Sequence, residues 1–169
     1  EAIQSMKSQG VRLTLTLFDN SPPVPNFYRF FLQWLAEDPG LAILIKGKSE
    51  GEWKSVYEDG MGGLVQRAMD SGRIFVMRHD ASPADAALLS DFAVGIGSFS
   101  AIAVAGLQGA RVLYLDYEKS DQGVLKPYGI FHSLGSKRCV FYDPKSLKEA
   151  VLEYINNPEN VPQSWREFF

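Results

Sequence analysis

Lys46, Lys48, Arg78 and His79 are the residues of this chain best suited to grip a multiply charged anion, and each stands at or just past the end of a short apolar run. Gly97-Ser98-Phe99-Ser100 follows another such run and opens a helix of small residues. The first turn of that helix leaves backbone N–H groups without intrahelical partners and turns the positive end of the helix dipole outward. Serine hydroxyls at that place can donate alongside the amides, so basic side chains facing the turn would hold a diphosphate through charge-assisted hydrogen bonds. Asp116 and Glu118, past the next apolar run, can receive ribose hydroxyls. Each residue also has a plainer reading. Strand ends attract charges because they are solvated, Ser98 and Ser100 fit as helix caps, and Asp116 can simply end a strand. His79 suits a phosphate donor or a general base better than His132, which lies in a less regular passage. Neither paired CxxC nor HExxH is present, so no metal site is expected.

These residues need elements to position them. Val11–Phe18 alternates and is rich in β-formers, ending at Asp19-Asn20-Ser21-Pro22-Pro23, which is turn chemistry. Asn26 can cap a helix bearing Phe27, Phe30, Phe31, Trp34 and Leu35, stopped at Asp38-Pro39-Gly40. Strands are then expected at Leu41–Ile45, Arg73–Met77, Phe92–Ile96, Arg111–Asp116 and Cys139–Tyr142. Helices are expected near Leu64–Met69, from Ser82-Pro83, over Ala101–Ala105 with Gly106 and Gly109 as stops, and over Pro144–Asn157. Strands alternating with helices at this spacing predict a Rossmann-like α/β fold, a three-layer sandwich around a mostly parallel sheet of about six strands. With no repeat, low-complexity segment or linker, residues 1–169 read as a single domain.

The 169-residue chain is 46% hydrophobic, enough for a full core. Its net charge of −3 gives no basic stripe for nucleic acid, and no apolar run approaches the roughly 18 residues of a membrane span. Cys139, the single cysteine, reads as a buried structural thiol in a reducing compartment.

The pattern Ser90-Asp91-Phe92-Ala93-Val94-Gly95, then Ser98 and Ser100, a small-residue helix, Gly109 and a strand ending in Asp116, resembles the nucleotide-sugar-binding half of GT-B glycosyltransferases. The likeness runs from about Val11 to Asn157. Leu44-Ile45-Lys46-Gly47-Lys48 and Gly97-Ser98-Phe99-Ser100 are most similar to bacterial surface-carbohydrate enzymes. The resemblance implies a donor nucleotide-sugar as substrate, with no tightly bound cofactor, and a glycan acceptor. It places donor contacts at Lys46, Lys48, Arg78, His79, Gly97, Ser98, Phe99, Ser100, Asp116 and Glu118. It puts the catalytic base on an N-terminal domain upstream of Glu1, so this domain alone would not transfer sugar, and it leaves the catalytic residues unassigned. It implies a place in the cytoplasm or at the inner membrane surface. Trp165, Phe168 and Phe169 would suit packing against that upstream domain or against their own. The second strand ends Lys46-Gly47-Lys48-Ser49 without a His-Pro step, which leaves UDP, GDP or another nucleotide open.

Two other classes remain in view. Gly95-x-Gly97 follows a strand, opens a helix and has Asp116 about 20 residues on, as a dinucleotide-binding oxidoreductase requires. Against this, Ser100 replaces the last Gly or Ala and three strands precede the motif. The third class is a non-catalytic α/β ligand-binding module.

Overall fold

The computed structural model describes residues 2–18, 24–47, 60–96, 99–117, 119, 124 and 139–160. Six strands form one parallel sheet: β1 Leu13–Phe18, β2 Leu41–Lys46, β3 Ile74–Val76, β4 Phe92–Ile96, β5 Val112–Leu115 and β6 Val140–Phe141. Their order is β3-β2-β1-β4-β5-β6. The expected α/β Rossmann-like sandwich is therefore the fold observed. Registers such as Leu15 beside Ile43 and Phe92, and Val94 beside Leu113, run through the middle of the sheet.

Helices α1 Ala2–Ser8, α2 Pro25–Glu37, α3 Gly62–Asp70, α4 Pro83–Leu88, α5 Phe99–Leu107 and α6 Pro144–Asn156 surround it, followed by a 3₁₀ turn at Pro158–Asn160. Right-handed crossovers send α2 and α3 to one face and α4 and α5 to the other, and each pair is in contact. Helix α6 returns to the face of α2, where Lys148 bonds Glu37 at 3.3 Å and its ammonium lies 5.0 Å from the centre of the Trp34 ring.

Local chemistry accounts for the elements. In α2 the apolar stripe buries Phe27, Tyr28, Phe31, Leu32, Trp34 and Leu35 against the sheet. The helix starts at Pro25 rather than from an Asn26 cap, because proline's fixed φ suits the first helical position and Val24 takes the capping place with no side-chain bond. Its far end is closed by Arg73, whose guanidinium donates to the carbonyls of Leu35, Asp38 and Leu41 at 3.0, 2.7 and 2.8 Å. Ser82 and Asp143 cap α4 and α6 by accepting from the amides of Ala84 and Ser146. Gly106 lies inside α5, and Gly109 is the stop. At φ +91° Gly109 donates to Gly106 O while Ala110 donates to Ala105 O, the paired bonds of a Schellman turn.

The Leu-Thr alternation of β1 serves two buried faces. Leu13, Leu15 and Leu17 are fully buried, and so are Thr14 and Thr16. The Thr16 hydroxyl donates to Ala86 O at 2.9 Å, and the Thr14 hydroxyl donates to the Asp91 carboxylate at 2.7 Å. Satisfied hydroxyls are what allow threonines to sit in a closed core. Cys139 is buried. Helix α1 answers to no sequence expectation; its Met6 packs with Val11 and Ala42.

Candidate functional site

A parallel sheet brings all its carboxyl ends to one edge, and a crevice opens there where the strand order reverses. In this sheet the reversal lies between β1 and β4. Helix α5 begins at Phe99, three residues after β4 ends at Ile96, so its N-terminal turn belongs to that crevice. Gly95 explains how α5 comes so close. A Cβ built there would stand 2.9 Å from Ile102 Cβ, so the glycine's missing side chain is what lets α5 pack down on β4.

The sequence-derived site residues divide as follows. Phe99 and Ser100 are the first two residues of α5. Lys48, Gly97, Ser98 and Glu118 lie outside the described residues, as do His132, Trp165, Phe168 and Phe169. Lys46, the last residue of β2, is only 8% exposed, and its ammonium donates to Gly47 O at 2.7 Å and to His79 O at 2.9 Å. A charge buried to that degree must be hydrogen-bonded, and these bonds tie the end of β2 to the loop between β3 and α4. Lys46 and His79 are thus brought together, through the lysine amine and the histidine's backbone. Arg78 points outward with its side chain 81% exposed, and its guanidinium grips the Asp80 carboxylate with bonds of 3.0 and 2.6 Å. That hydrogen bond holds the Asp80 carboxyl below its ordinary value.

On the other side of the crevice, Asp116 directly follows β5 and is 3% exposed. Its amide donates to Phe141 O at 2.7 Å, which carries the β5–β6 pairing one step past the strand, and its carbonyl receives the Lys119 amide at 3.2 Å. The residues around it carry no motif. Tyr117 is 36% exposed, and partial burial first, then the negative charge of Asp143, pushes its phenol above the usual value. Lys119 holds φ +52°, a left-handed conformation rare for lysine, and its ammonium lies 6.0 Å from the centre of the Tyr142 ring. Nothing in the local sequence marks Lys119 as left-handed, since no glycine or asparagine stands there.

The arrangement therefore has a helix N-terminus at the middle of the edge, a buried ammonium to one side and a buried carboxylate to the other. Such a set suits an anionic group flanked by hydroxyls. Among the described residues no cluster of His, Cys, Asp and Glu would hold a metal ion, and no helix is long and apolar enough to cross a membrane. No family model matches the chain, and neither a curated protein nor a solved structure does.

Proposed function

We propose that this chain is the donor nucleotide-sugar-binding domain of a glycosyltransferase of surface-carbohydrate synthesis. The observation that carries the reading is the start of α5 at the strand-order reversal, directly after β4, where first-turn amides and the dipole favour a diphosphate. Lys46 brings a positive charge to the end of β2, and the reading takes Lys48, His79, Ser98 and Ser100 as further donor contacts, while Arg78, turned out to Asp80, would have to leave that carboxylate to join them. Asp116 and Glu118 take the ribose hydroxyls on the β5 side. The domain works with an N-terminal partner domain that brings the glycan acceptor and the catalytic base, in the cytoplasm or at the inner membrane surface.

The dinucleotide reading fares less well for a specific reason. Its glycine fingerprint belongs to the first strand–helix turn of the fold, whereas here Gly95 sits on β4 and its bare Cα accommodates Ile102. Thermal stabilisation by UDP, GDP or CMP is the expected result. Ser98→Ala with Ser100→Ala should weaken that binding about tenfold, the loss of one or two hydroxyl bonds to a charged group, without lowering the melting temperature in the absence of ligand. Stabilisation by NAD alone would move the chain to the oxidoreductases. Silence toward every nucleotide would leave only the non-catalytic module.

A further inference from the structure

A second cleft opens away from the crevice, on the helical face of the sheet between α2 and α3. It encloses about 490 Å³ and is lined by Arg29, Gln33 and Glu37 of α2 and by Gly63 and Arg67 of α3. That volume lies within the range of small-ligand sites. The three α2 residues recur every fourth position, so they stand above one another on one helix face. Across from them the Arg67 guanidinium lies back over Gly63, its Nη1 3.7 Å from where a Cβ at that glycine would be.

Among the described residues Glu37 is the one acid lining the cleft, and it is already paired with Lys148 from α6. Arg12 and Arg78 are paired with Asp38 and Asp80, and Arg73 is spent on closing α2. Among the described residues no ion pair or side-chain hydrogen bond engages the Arg29 or Arg67 guanidinium. Two guanidinium forks thus line one cleft together with Gln33. Planar forks of this kind match oxyanions in bidentate fashion.

We infer that the α2–α3 cleft is a separate binding site for a small ligand carrying a multiply charged oxyanion. The inference does not depend on the nucleotide-sugar reading, because the cleft shares no lining residue with the α5 turn. Titration calorimetry with inorganic pyrophosphate and, as the carboxylate counterpart, citrate tests it at both low and physiological salt. At least one of them should bind more tightly than about 1 mM, with whichever is stronger telling phosphate from carboxylate. Arg29→Gln and Arg67→Gln should each weaken binding about tenfold, the scale of one lost charged hydrogen bond. Gly63→Glu, which sets a carboxylate beside Arg67, should do the same, and all three positions are exposed enough to leave the melting temperature unchanged. Ser98→Ala with Ser100→Ala should not alter this binding. The inference is overturned if neither anion binds below about 1 mM, if binding vanishes at physiological salt, or if the serine changes weaken it while the arginine changes do not.

Discussion

Replacing Gly95 by alanine tests the contact on which the crevice rests. The added Cβ would meet Ile102 at 2.9 Å from Cβ, 3.1 Å from Cγ1 and 3.2 Å from Cδ1. Carbon atoms pack best at about 3.5–4.0 Å, so α5 and β4 must part by roughly half an ångström or more. Ile102 cannot simply rotate away, because its nearest atom is Cβ, fixed to the backbone, and the residue is fully buried. Forced overpacking of this kind costs about 1–3 kcal/mol. In a chain of 169 residues that lowers the melting temperature by about 2–12 °C. Lifting α5 also displaces its N-terminal turn, so affinity for nucleoside diphosphates should fall beyond the loss in stability. Equilibrium urea denaturation would give the first quantity and titration of the folded protein the second. Ile102→Val, which keeps Cβ and Cγ1, should not rescue Gly95→Ala. A Gly95→Ala protein with unchanged stability, or a full rescue by Ile102→Val, would refute the packing argument.

Lys46→Met should cost about 1–3 kcal/mol by leaving the Gly47 and His79 carbonyls without their charged donor. Amide exchange over residues 77–81 should quicken by more than the global loss requires, and unchanged protection there would mean that the lysine does not hold the loop. Asp143→Ala should remove about 1 kcal/mol of capping from α6, seen as a fall of about 2–4 °C in melting temperature. The Asp143 carboxyl is held below its usual value by the Ser146 hydroxyl and then its amide. Its folded pKa is depressed, so the contribution is present at neutral pH and is lost as pH falls below the ordinary carboxylate range. Asp143→Asn keeps an acceptor without the titration, so its melting temperature should approach that of the unaltered protein as the pH falls, and a constant gap would contradict the assignment.

The order of elements was legible in the residues. Short β-rich runs parted by helical stripes and turn residues leave few folds besides a parallel sheet, because parallel neighbours need crossover helices. The carboxyl-end placement of Lys46, Arg78 and Asp116 followed from the same pattern. Other features were not legible. Alternation in β1 normally signals one wet face, and only the partners Ala86 and Asp91 show why Thr14 and Thr16 are buried. Asn26 reads as well as a cap as it does as a second helical residue, since the choice depends on backbone angles that the proline before it sets.

By itself the chain determined that a helix N-terminus follows the apolar strand Phe92–Ile96, because glycine, serine and a run of small residues have few other local solutions. Only the tertiary structure decided what surrounds it. Strand order puts β4 beside β1 and so opens a crevice at α5, the Lys46 amine turns onto backbone 33 residues away, and Arg78 turns out to Asp80. The α2–α3 cleft likewise exists only because two helices distant in sequence pack side by side. Local propensity acts over a few residues, whereas burial, charge pairing and clefts are properties of neighbours that the fold alone supplies.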